Sequence, residues 1–351
     1  MTLFTVPDAA RDARRAAGRA RAAASGAVVL GTLAGCIGAG AGGFGQGATA
    51  APATLVGEDG LAAGASAYNP SLTPDGRTLV FARSAPGFRR PVIHVSRLSH
   101  GRWSTPRPVP FTDARWGDSD PTFTPDGRTL YFVSNRPAAA LTAADSTARD
   151  STRRDLDVWR VRREPTRDGE RWGTPERLGP EVNTRNQELG PSWRDGVLYF
   201  ASARRAGVGG LDLWAARDLG GGRFARAEPF GGALNTPASE SDPELSPDGR
   251  TLLFWSDRAG GAGSADLYAS RRGTDGRWSA PVPLRGAANS AWFDFTPALS
   301  ADGRWLYFAS ERPLDAAGGR EAPAGAGAPV QARAGEGAAH VWRVPAAAVL
   351  P

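Results

Sequence analysis

Ser246-Pro247-Asp248-Gly249-Arg250-Thr251-Leu252-Leu253-Phe254 decides the fold, because it recurs along the chain. Thr73-Pro74-Asp75-Gly76-Arg77-Thr78-Leu79-Val80-Phe81 and Thr124-Pro125-Asp126-Gly127-Arg128-Thr129-Leu130-Tyr131-Phe132 are full copies. Ser300-Ala301-Asp302-Gly303-Arg304-Trp305-Leu306-Tyr307-Phe308 carries alanine in place of proline, and Trp193-Arg194-Asp195-Gly196-Val197-Leu198-Tyr199-Phe200 is a shortened copy. In each, Asp-Gly separates two runs of strand-forming residues. Proline presets φ, aspartate bonds back to the local backbone and glycine accepts a positive φ, so each copy reads as a β-hairpin. Five such units define a repeat protein.

A proline precedes each hairpin, at Pro70, Pro121, Pro191, Pro243 and Pro297, with spacings of 51, 70, 52 and 54 residues. That is the length of a four-stranded blade plus its loops. Strand A is expected to start at the proline and strand B to be the Leu-x-Phe run. Strand C is expected at Ile93–Ser96, Asp157–Trp159, Asp212–Trp214, Asp266–Tyr268 and His340–Trp342. A proline-containing strand D follows, over 103–111, 172–178, 224–230 and 278–284, which suits an outer edge. The fifth unit ends before its strand D. Pro52-Ala53-Thr54-Leu55-Val56 stands at the matching distance ahead of Pro70, so the N-terminal strand is expected to complete the last blade and close the ring. The fold class is all-β: a five-bladed β-propeller of four-stranded antiparallel blades over 52–345, with 346–351 as a tail.

The pattern Pro-(Ser/Thr/Glu)-x-Ser/Thr-Pro-Asp-Gly-Arg-x-Leu-x-Phe, with its later Ser-x-Arg and Asp-Leu-Trp elements, resembles the WD-repeat-like propeller repeat of the TolB-like family. The resemblance covers nearly all of residues 52–345 and implies a propeller, often of the bacterial envelope. TolB itself has six blades and a separate N-terminal domain. Neither is visible here, so a Tol-Pal role does not carry over.

Residues 1–35 read as a targeting segment. Arginines are followed by the apolar run Ala27–Gly35, too short to span a bilayer. Leu33-Ala34-Gly35-Cys36 resembles the lipobox of bacterial lipoproteins, and Cys36 is the only cysteine of the chain. Lipidation of Cys36, a flexible Gly/Ala tether over 36–51 and a place on the periplasmic side of the outer membrane are the expectations. The net charge of +6 does not point to nucleic acid: five arginines against two aspartates in the N-terminal segment supply half of it. One cysteine and three histidines leave no cysteine-built metal site and little room for a histidine-built one, and no cofactor is expected.

Three residues before the prolines stand Ala67, Asp118, Glu188, Glu240 and Asp294; one before stand Asn69, Asp120, Gly190, Asp242 and Thr296. The innermost strands should bring both sets to the channel mouth, where acids can hold a cation or attract a basic peptide. Just after strand B stand Arg136, Arg204, Arg258 and Arg312, whereas blade 1 has Ala85 and also lacks the acid, at Ala67. Acid and arginine come and go together, as repeated structural pairs would. Asp120 and Asp242 have no matching arginine and are the better binding candidates. Trp116 and Trp292, in loops on the same face, are candidate contacts. Asn183, Asn235 and Asn289, each eight residues before a proline, read as loop caps. His94 and His340 replace the aspartate that begins strand C elsewhere, so a bond to a loop backbone is expected of that position. Insertions 138–154 and 314–338 should emerge beside the D–A loops. The expected function is an envelope scaffold binding a protein or peptide; the alternative is a carbohydrate-binding or glycoside-hydrolase-like propeller using the mouth carboxylates.

Overall fold

A computed structural model of the chain describes residues 51–57, 61, 65–113, 115–137, 156–166, 169–314 and 338–351. Cys36, the tether and nearly all of both insertions lie outside the described residues.

The described strands form five antiparallel sheets, one per repeat. β1 (Thr54–Leu55) comes first in the chain but belongs to the last blade. Blade 1 holds β2 (Ser66–Leu72), β3 (Thr78–Ala85), β4 (Arg89–Ser99), β5 (Arg102–Trp103) and β6 (Arg107–Pro108). Blade 2 holds β7 (Asp118–Phe123), β8 (Thr129–Ser134), β9 (Asp157–Thr166), β10 (Gly169–Trp172) and β11 (Glu176–Arg177). Blade 3 is β12 (Glu188–Arg194), β13 (Val197–Ser202), β14 (Asp212–Arg217) and β15 (Glu228–Pro229). Blade 4 is β16 (Glu240–Leu245), β17 (Thr251–Ser256), β18 (Asp266–Arg271) and β19 (Val282–Pro283). Blade 5 is β20 (Asp294–Leu299), β21 (Trp305–Ser310) and β22 (His340–Pro345), with β1 as its outer strand. The ring closes: Thr54 pairs with Arg343 and Leu55 with Trp342, and β2 packs against blade 5.

The hairpin motif works as its chemistry dictates. In the full copies the Ser/Thr hydroxyl bonds the aspartate, at 2.5 Å for both Thr73–Asp75 and Ser246–Asp248, and accepts the N–H of the residue that opens strand B. Glycine then takes φ of 66° at Gly76, Gly127 and Gly249. The shortened copy makes a tighter turn, with Asp195 and Gly196 both at positive φ (50° and 77°), the type that joins two strands with only two residues.

The structure departs from the sequence expectation in three places. Strand A does not begin at the proline but a few residues earlier, and the proline sits at a bulge in mid-strand. The pairing register breaks between Tyr68 and Ser71, Ser119 and Thr122, Leu189 and Ser192, Ser241 and Glu244, and Phe295 and Ala298. A residue without an N–H is tolerated inside a sheet where the ladder is already interrupted. Strand D is also shorter than expected, a two-residue pair in every blade, because proline stops the ladder at the edge. Trp103 and Trp172 pair instead with the prolonged ends of β4 and β9. Lastly, residues 346–351 are no loose tail. Ala346–Ala348 form a 3-10 turn, Val349 is buried in the core between blades 4 and 5, and its carbonyl accepts the Arg285 N–H.

The seam between blades 5 and 1 is apolar. Val56 and Leu61 pack with Ala67, Phe81 and Val341, and Val56 donates to Val341 O at 2.9 Å. Burying Leu55 and Val56 contributes about 1.5–3 kcal/mol each. Deleting residues 52–57 is therefore expected to lower the thermal midpoint of the whole domain by roughly 5 °C or more. Calorimetry checks this, and an unchanged midpoint contradicts ring closure.

Candidate functional site

Two kinds of carboxylate stand on the innermost strands, and the structure separates them. Asp118, Glu188, Glu240 and Asp294 are at most 1% exposed and face the arginine of their own blade. Nη2 of Arg136, Arg204, Arg258 and Arg312 lies 2.6, 3.4, 3.1 and 2.8 Å from them. Each arginine also donates through Nε to the serine two residues earlier in its Ser-x-Arg motif. Its guanidinium lies over two aromatic rings of strands B and C: Phe132 and Trp159, Phe200 and Trp214, Phe254 and Tyr268, Phe308 and Trp342.

The D–A loop completes the clamp. Arg204, Arg258 and Arg312 donate to the carbonyls of Val182, Leu234 and Ala288. The next residue in each loop is Asn183, Asn235 or Asn289. Its side chain bonds both the N–H and the carbonyl of one strand C residue, Val158, Leu213 or Leu267. Thr184, Thr236 and Ser290 then donate N–H and hydroxyl to the acid. Burial raises the carboxyls of Asp118, Glu188 and Glu240 above their ordinary values in spite of the arginine. These acids are spent on holding strand, loop and blade together.

Two strand C aspartates hold loop backbone too: Asp212 accepts from Val208 and Gly209 and Asp266 from Gly263, whereas Asp157 accepts from the Arg177 guanidinium and His94 lies 2.9 Å from Val92 O in its own strand. Trp116 and Trp292 are half-buried, and the Arg115 guanidinium covers Trp116 at 5.9 Å.

The other set lines a central cavity of about 280 Å³, which the clamped acids do not reach. At the bulge, Asn69, Asp120, Gly190, Asp242 and Thr296 all take positive φ, between 47° and 54°. Aspartate, asparagine and glycine accept this conformation; in Thr296, a β-branched residue, it is strained. In four blades the bulge turns a side chain toward the cavity, and the adjoining prolines add walls that carry no N–H. Gly190 is required twice over, because a Cβ there would also fall 2.7 Å from the Asp242 Cα.

Asp120 and Asp242 meet across that glycine. Asp120 accepts the Gly190 N–H at 3.0 Å, and Asp242 accepts the Trp255 indole N–H at 2.7 Å and the Ser241 hydroxyl at 3.3 Å. Burial, and then the charge of Asp120, pushes Asp242 up to about 8; burial raises Asp120 as well. Burial thus favours the neutral form of both carboxyls. Burial also raises the nearby Tyr68 hydroxyl, with the Asp120 charge adding to it. On the cavity wall, burial lifts Glu244 to about 7 against the pull of Arg194. Glu244 was missed in the sequence, although its signal was there: the residue after the proline is Ser71, Thr122, Ser192 and Ala298 in the other blades.

The cavity opens on the A–B turn face, where Pro74, Pro125 and Ala301 rim it, and not on the D–A loop face expected for a partner. On the other side of the ring sits an aromatic cluster. Phe293 stacks on Phe295 at 4.3 Å, and Phe88 meets Tyr68 and Phe295 edge-on at 4.8 and 5.6 Å. Phe88 comes from a hairpin tip that blades 3 and 4 do not reproduce.

Two outcomes follow. Removing one member of the most buried clamp, as in Asp294→Ala, leaves the buried Arg312 guanidinium uncompensated and is expected to cost about 3–5 kcal/mol in urea unfolding. Folded Asp242 holds its proton to a higher pH than the unfolded chain does, so its contribution is full below the ordinary carboxylate range and is lost as pH rises through about 8. The urea midpoint is expected to fall between pH 5 and pH 8, and Asp242→Asn to remove at least half of that fall.

No protein-family model matches the sequence, and the curated proteins hold no match. Solved structures do resemble it. An endo-arabinanase of glycoside hydrolase family 43 from Bacillus licheniformis aligns with a TM-score of 0.52 at 13% identity, covering 83% of this chain and 96% of that one. A putative TolB from Agrobacterium tumefaciens aligns at 0.42 and 18% identity, covering 80% and 90%. An α-L-arabinofuranosidase from Fusarium graminearum aligns at 0.46 and 12%, covering 86% and 100%. At these identities the likeness speaks for architecture alone. By its repeats and its ring, the chain is a five-bladed β-propeller.

Proposed function

We propose that this protein is a binding scaffold of the bacterial cell envelope, tethered through a lipidated Cys36, which holds a partner protein at the central cavity of its propeller. The observation that carries the reading is the division among the carboxylates. Four acids are consumed by arginine clamps, and Asp120 and Asp242 are left facing a cavity with no basic side chain bonded to them. Among the described residues no helix is long and apolar enough to cross a membrane, which is compatible with attachment by lipid. TolB proteins among the similar structures support the envelope setting by analogy of fold only.

The glycoside hydrolase alternative draws on the arabinanase likeness, but the acids are placed poorly for it. That chemistry needs an acid and a base or nucleophile flanking a sugar, about 5–9 Å apart. Here the Gly190 backbone fills the interval: Asp120 is bonded to its N–H and Asp242 lies against its Cα face. With the Gly190 backbone between them, the carboxyls suit capture of a small cation better than glycosidic cleavage.

Photo-crosslinking in intact cells tests the scaffold reading. A crosslinker at Pro125 or Ala301, exposed at the cavity rim, is expected to trap a discrete partner, whereas one at exposed Val208 on the opposite face is not. Cys36→Ala is expected to release the protein from the membrane fraction. Equal adducts from both faces, or hydrolysis of arabino-oligosaccharides that Asp120→Asn abolishes, would overturn it.

A further inference from the structure

The ring of bulge residues is unfinished in its hydrogen bonding. Asn69 Oδ1 and Thr296 Oγ1 are buried and have no partner, although each residue is more than nine-tenths removed from solvent. Ser192 Oγ, equally buried on the same wall, is also unpartnered. Buried polar atoms without partners are costly unless a ligand or water supplies the bonds. All three line the same cavity as Asp120 and Asp242. The bulge ring is thus rich in oxygen acceptors, while the unpartnered donors of the same cavity, Trp193 Nε1 and Arg194 Nε, stand on the wall that carries Glu244.

The geometry points to a binding site for a primary alkylammonium group in the central cavity, held by Asp120 and Asp242 and oriented by Asn69 Oδ1 and Thr296 Oγ1. This rests on the scaffold reading above and names the chemistry that its partner presents. An ammonium head brings three N–H donors to acceptors that lack them. Its methylene stem fits between the proline rings and Leu72 and Leu299 toward the open end. An ammonium beside the two carboxyls in turn favours their ionised form. A hard divalent ion is served less well: it takes six or more oxygens at short range, and no cluster of three acidic, histidine or cysteine ligands exists among the described residues. The same head group can arrive as a lysine side chain of a partner or as a free alkylamine, and the test separates these.

Isothermal titration of the full chain with n-pentylammonium is expected to show saturable one-to-one binding, at least tenfold weaker in Asp242→Asn. Thr296→Val keeps the side-chain shape, removes the hydroxyl and is expected to weaken binding about threefold, so the claim stays testable if the aspartate variant folds poorly. Tetramethylammonium, a cation without N–H donors, is expected not to compete. A peptide with one internal lysine that binds tenfold more tightly than n-pentylammonium assigns the site to a presented lysine; equal affinity assigns it to a free amine. Affinity unchanged in both variants, full competition by tetramethylammonium, or displacement of the amine by equimolar calcium overturns the inference. If the amine fails to bind while the Ala301 crosslink still captures its partner, the ammonium site falls and the scaffold stands.

Discussion

The structure depends on an arginine laid between two aromatic rings with its fork on a buried carboxylate. One guanidinium reaches the start of strand A, the serine ending strand B, an aromatic residue of strand C and, in three blades, the carbonyl of the loop that arrives from the preceding blade. A buried ion pair is weak as a source of stability, because desolvation offsets the attraction. Its value here is geometric: in the four blades that carry it, it fixes where the inner strand begins. Blade 1 carries no such clamp, and the N-terminal segment fills its place with Val56 and Leu61. Apolar clusters fill every seam of the ring, and the clamps add charge in all blades but the first.

Once the strand starts are fixed, the bulge follows from proline. A residue that cannot donate interrupts the ladder, and its predecessor turns into the left-handed region in all five blades. Where that predecessor is glycine the wall is open, and there two aspartates from flanking blades come together. Repetition holds the frame, and departures from repetition make the site: Gly190 where others have side chains, Glu244 where others have small residues.

Much of this was legible in the sequence, for a physical reason. Hairpin chemistry, blade length and the borrowed outer strand are local or periodic signals, and each repeat checks the others. The joint loss of acid and arginine from blade 1 pointed to pairing, since a buried charge without its partner is costly. The loop asparagines were readable by register alone. The bulge was not, because Pro in a strand reads first as a strand start. Nor was the open end of the cavity, because the aromatic cluster on its other side brings together Phe88 of blade 1 and Phe293 and Phe295 of blade 5. The meeting of Asp120 with Asp242 needed the ring itself, since the two lie on different blades.

The central claim is that the carboxylates have two separate duties, clamping and facing the cavity. Carboxyl carbon NMR on aspartate-labelled protein tests this most directly. Addition of n-pentylammonium is predicted to shift the Asp120 and Asp242 resonances and to leave those of Asp118 and Asp294 in place. Shifts at Asp118 or Asp294 with Asp120 and Asp242 unmoved would contradict the account.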